Sequence, residues 1–107
     1  MNVNLLYPPE KIGQRELLGC YGSGPTSYNQ TTGDVLVLPP GLYIDFPCGE
    51  AMTVDRTYYV RFFPSATGGL RPTWTADWYV TATAAKVANG VNLSAESIQF
   101  GLIGGEF

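Results

Sequence analysis

Histidine is the first residue to look for in a search for chemistry, and the 107-residue sequence contains none. Its absence removes Ser-His and Cys-His nucleophile pairs, histidine-bearing zinc sites and the commonest general base. Two cysteines, Cys20 and Cys48, are too few for a four-thiolate metal site. The run GSGP at residues 22–25 ends in proline and opens no helix, so it is not a phosphate-binding loop. Paired carboxylates remain, because a glycosidase needs only an acid and a base or nucleophile facing each other across a cleft. Asp34, Asp45, Glu50, Asp55, Asp77 and Glu96 are the candidates. Asp77 lies in an aromatic segment where burial would raise its pKa, but it alternates with Thr75 and Tyr79 and reads as part of a polar strand face. The acidic residues stand singly, without the oxygen-ligand spacing of a calcium loop. With no convergent set of groups, the sequence predicts a protein that is not an enzyme and has no catalytic residues, cofactor or metal.

The aromatic residues point to binding. Tyr7, Tyr21, Tyr28, Tyr43, Tyr58, Tyr59, Phe63, Trp74, Trp78 and Tyr79 could form a stacking surface for sugars or a protein-binding patch. Trp74 and Trp78 alternate with polar residues and share a face with Ala76 and Val80, which reads as core. Tyr59, Arg61 and Phe63 lie opposite Tyr58, Val60 and Phe62, leaving two apolar or aromatic faces on one strand. One of those faces needs a cover.

Composition narrows the partners. Only 14% of residues are charged, against roughly 25% in average globular proteins. The net charge of −3 argues against binding nucleic acid through phosphates. No apolar run approaches the roughly 18 residues that would span a bilayer, and MNVNLLYPPEK lacks the pattern of a signal peptide. Synthesis in a cytoplasm is therefore expected, with no membrane partner. In that compartment Cys20 and Cys48 are expected to be reduced core thiols.

The elements that must position these residues are short strands. Residues 1–13 read as an extended N-terminal arm, stiffened by Pro8 and Pro9. It is either an edge strand on its own sheet or a segment that docks on a neighbouring subunit. Residues 14–107 form one domain. Strands are expected at 15–21, 35–38, 42–46, 55–63, 74–83 and 96–103, with a helical turn or a further strand at 84–88. On 42–46 the alternation puts Leu42, Ile44 and Phe46 on one buried face, and on the last strand Ile98, Phe100 and Leu102. The loop over residues 22–34 is long enough to suggest a function of its own. No segment keeps a helical period. The fold class is all-β, an antiparallel sandwich or barrel of about six to eight short strands.

The apolar, proline-containing arm, the histidine-free body, RELLGCYGSG, TTGD, GLYIDF and NLSAESIQFGLIGG together resemble small accessory proteins of tailed bacteriophage virions. That resemblance implies a capsid decoration or cement protein, assembled in the host cytoplasm and carried on the virion. It also implies a dimer or trimer clamped on the major capsid protein or another virion subunit. The residues expected at partner contacts are Leu5, Leu6 and Tyr7 in the arm, Tyr28 in the long loop, and Leu102, Ile103 and Phe107 in the tail. Removal of the arm is expected to leave the β-core folded. The alternative function is a carbohydrate-binding β-sandwich, a receptor-binding module using exposed Tyr and Trp.

Overall fold

The structure, a computed structural model, describes residues 1–48, 50–64 and 73–106. The strands form where β-branched and aromatic residues concentrate between Gly and Pro turns. Among the described residues they are β1 (Asn4–Leu5), β2 (Glu10–Ile12), β3 (Arg15–Ser23), β4 (Asp34–Val35), β5 (Leu42–Pro47), β6 (Ala51–Met52), β7 (Tyr58–Pro64), β8 (Trp74–Val80) and β9 (Ser97–Glu106). They make two antiparallel sheets. A five-stranded sheet runs β1-β3-β9-β5, with β2 also paired to β3, and a four-stranded sheet runs β4-β8-β7-β6. The all-β sandwich is thus the architecture of the chain.

Period-two alternation supplies the core. From one sheet Leu18, Cys20, Ile98, Phe100 and Leu102 face inward, and from the other Val60, Ala76 and Trp78. Trp78 meets Tyr58 edge-on, with ring centroids 6.5 Å apart, and Phe62 leans on Phe100 at 5.2 Å. Small Ala76 between Trp74 and Trp78 leaves room for such interdigitation. Two single bridges join the sheets at their sides, Thr53 with Ile98 and Asn2 with Val37. They limit the strand edge left open to other chains.

The first residues do not project as an arm. Val3 is only 4% exposed, and its backbone N–H donates to the Val37 carbonyl at 2.8 Å. Leu5 pairs with Cys20 and packs on the core. Of the two readings of residues 1–13, the edge strand is the one the chain adopts. Loss of this segment would unseat Val3, worth about 1.5–3 kcal/mol of apolar burial, and break the Asn2–Val37 bridge. Truncation of this segment is therefore expected to weaken the core, and a thermal melt of the truncated chain checks it.

The long loop is also tied down. Tyr28 fills the core at 1% exposure, and its hydroxyl accepts the Trp78 backbone N–H at 3.2 Å. Beyond β4, the edge of β8 still has polar groups to satisfy. Tyr28 meets that need from the loop, and Val87 N–H donates to the Trp78 carbonyl at 2.9 Å. Residues 84–88 contribute one bridge, Lys86 with Tyr79, rather than a helical turn or a strand.

A carboxyl pair sits beside the Thr53 bridge. Asp55 Oδ1 accepts from Thr53 Oγ1 at 2.8 Å and from Thr57 N–H at 3.0 Å. These bonds, the backbone one foremost, hold the Asp55 carboxyl below its usual range. Desolvation, then the Asp55 charge and a hydrogen bond to it, raise Glu96 above its ordinary 4.5. A raised folded-state pKa favours folding below the unfolded value, and the benefit fades as pH rises through the folded one. Glu96→Gln is expected to raise the melting temperature at neutral pH, because an uncharged amide can still donate to Asp55. It should also remove the part of the decline in stability above pH 4.5 that Glu96 causes. Thermal melts of both proteins across that range check this, and a Gln variant less stable than the parent at neutral pH would contradict it.

Candidate functional site

The outer face of the five-stranded sheet holds a groove of about 740 Å³, lined by Ile12, Gln14, Arg15, Tyr43, Asp45, Phe46, Cys48 and Ile103. Four elements build it. Ile12 ends β2, and the two-residue turn Gly13-Gln14 leads directly into Arg15, its cross-strand partner. Gly13 takes a φ of 62°, a left-handed conformation suited to glycine at such a turn. Ile103 lies on β9 opposite Leu17. β5 contributes Tyr43, Asp45 and Phe46, and Cys48 follows it.

β5 carries the decisive local feature. Its register with β9 shifts between Ile44 and Phe46: Ile44 pairs with Gly104, and Phe46 pairs with Ile103. One extra residue, Asp45, reverses the side-chain alternation, as a β-bulge does. Ile44 stays in the core while Phe46 turns outward and is 46% exposed. The expectation that Phe46 shares the buried face of Leu42 and Ile44 is corrected by this bulge. Gly104 permits the close approach, since a Cβ there would collide with the Tyr43 carbonyl.

The groove lining combines apolar and charged side chains. Ile12, at 53% exposure, and Phe46 are large hydrophobic residues left in solvent. Arg15 Nε of β3 holds Asp45 Oδ2 of β5 at 2.9 Å, across the intervening β9. Cys48 is exposed and Cys20 buried, and both are free thiols. Burial pushes the Cys20 thiol up to about 11, so it is inert at neutral pH. Cys48 departs from the expected core position because its backbone N–H bonds Gly101 and its side chain lies over the Gly101 Cα. The arrangement offers shape, exposed apolar surface and a charged pair. Asp77, the carboxylate with most claim to chemistry, is 3.5 Å from Lys86 Nζ. Among the described residues no group of three or more His, Cys, Asp and Glu side chains could hold a metal ion. Nor is any helix there long and apolar enough to cross a membrane.

The residues expected at partner contacts divide. Leu6 and Tyr7 are exposed, and Tyr7 lays its ring over Gly19 on the outer face of β3. Gly19 pairs with Gly101, two residues before Ile103 on the same face, so Leu6, Tyr7 and Ile103 share one side of the molecule. Tyr28 and Leu102 do not belong with them. At 1% and 0% exposure they are core, because the loop closes on β8 and the β9 alternation sends Leu102 inward. Leu5 faces the core as well, and Phe107 lies outside the described residues. Ile12, Arg15, Tyr43, Phe46 and Cys48 were not among the expected contacts. Exposed apolar Ile12 beside a Gly turn was the one local signal available.

The chain matches no protein-family model, no curated protein and no solved structure.

Proposed function

We propose that the protein is a non-enzymatic structural subunit of a virus particle, a capsid decoration or cement protein. It docks the outer face of its five-stranded sheet on the major capsid protein or another virion subunit. The observation that carries this reading is the groove lined by the exposed apolar side chains Ile12 and Phe46 with Ile103, and spanned by the Arg15–Asp45 pair. Exposed aromatic and aliphatic side chains together with an arginine are residue types that protein interfaces use. The low charge content fits the same reading, since a surface poor in Lys and Glu is costly to leave in water but suits contact with protein. The resemblance to accessory proteins of tailed-phage virions supplies the particle as the partner, and a dimer or trimer as the working form.

Co-expression with the major capsid protein encoded nearest its gene, followed by sedimentation of the assembled particles, tests the proposal. The protein is expected to travel with intact particles, and particles carrying it should resist heating better than bare ones. Intact particles that sediment while the protein stays at the top of the gradient would overturn it.

A further inference from the structure

The four-stranded sheet carries a second candidate site of different chemistry. Tyr59 on β7 pairs with Tyr79 on β8, and their rings stack at 5.1 Å with planes 13° apart. On the other side of β7, Tyr59 pairs with Met52 of β6. There a shallow pocket of about 370 Å³ opens, lined by Glu50, Ala51, Met52, Tyr59 and Thr81, within the range of about 300–1,000 Å³ common for small-ligand sites. Glu50 Oε1 lies 3.0 Å from Arg61 Nε, with both side chains about half exposed.

We infer that this pocket is a binding site for a neutral pyranose ring. An aromatic ring held rigid by its stacked neighbour offers a flat apolar surface for the C–H face of a sugar. Glu50, Thr81 and the Tyr59 hydroxyl supply acceptors and donors for ring hydroxyls, the carboxylate bonds being the stronger because charge assists them. The other small-ligand classes fit less well. Glu50 and Arg61 neutralise each other, so the site has no net charge to hold an ion. A chain of net charge −3 is poorly suited to a nucleotide phosphate. The open, partly polar lining gives a lipid tail nothing to bury in. The pocket is built on the four-stranded sheet, whereas Ile12 and Ile103 of the docking groove belong to the five-stranded one.

The test is a titration of the isotopically labelled full chain with oligosaccharides of glucose, galactose, mannose and N-acetylglucosamine, read by amide NMR. At least one is expected to give saturable shifts centred on Met52, Tyr59 and Thr81. Affinity should fall by about tenfold or more in Tyr59→Ala and in Glu50→Gln, and stay unchanged in Ile12→Asp. Glu50 is half exposed, so its variant decides the matter if Tyr59→Ala fails to fold. No saturable shift with any of the four sugars, shifts centred elsewhere, or binding indifferent to both variants would overturn the inference. Because Ile12 lines the docking groove and not this pocket, sugar binding and particle binding fail independently.

Discussion

Phe46→Asp is expected to abolish stable association with particles while leaving the sandwich folded. Phe46 is outward-facing, so the free protein loses no core contact, and a surface change of this kind usually alters stability by within about 0.5 kcal/mol. In the proposed complex the same change removes a large aromatic side chain from the groove and places a carboxylate in the contact. Truncation of a central aromatic anchor typically costs about 2 kcal/mol or more, at least about 30-fold in affinity, and a desolvated charge adds to that. The control is Val54→Asp, at 79% exposure in the turn between β6 and β7, which should bind as the parent does. Co-sedimentation with particles reads both variants. Equal binding by Phe46→Asp and the parent would remove the groove from the interface.

Trp78→Ala is expected to have the largest effect on the fold itself. Trp78 is fully buried between the sheets, meets Tyr58 edge-on, and its indole N–H donates to Asp34 Oδ2 at 3.1 Å. Its removal leaves a cavity walled by both sheets and deprives a buried carboxylate of a donor. Trp to Ala changes in cores cost about 3–5 kcal/mol, a large part of the 5–15 kcal/mol that holds a domain together. At about 4–8 °C per kcal/mol for a domain near this size, the melting temperature should fall by more than about 12 °C. A fall of only one or two degrees would contradict the core assignment. Trp78→Phe should lose less, since most of the volume and the Tyr58 contact survive.

The sheets were legible in the sequence because their signal is local. Alternation of Trp74, Ala76 and Trp78, and of Ile98, Phe100 and Leu102, predicts strands and their buried faces from neighbouring residues alone. The site was far less legible. Phe46 read as a core residue because nothing in LYIDF marks Asp45 as the extra residue of a bulge, which arises from pairing with a strand some sixty positions away. Tyr28 read as a contact residue because its loop is rich in Gly, Ser, Thr and Asn. Its burial comes from the need of β8 for a partner beyond the short β4, a tertiary demand with no local trace. The arm could be read two ways, and the packing of Val3 against the core favours the edge strand. Leu6, Tyr7 and Ile103 did reach a common face, since apolar residues on an edge segment and on the outward positions of β9 must lie in solvent or under a partner.

Alkylation of Cys48 tests most directly whether the groove is the docking surface. Cys48 is an exposed thiol in the groove itself, and buried Cys20 is an internal reference on the same strand-paired sheet. The free protein should react at Cys48 and not at Cys20. Bound to particles, it should lose most of the Cys48 reactivity, with Cys20 silent in both states. Alkylation of Cys48 at the same rate in free and particle-bound protein would contradict docking through this face.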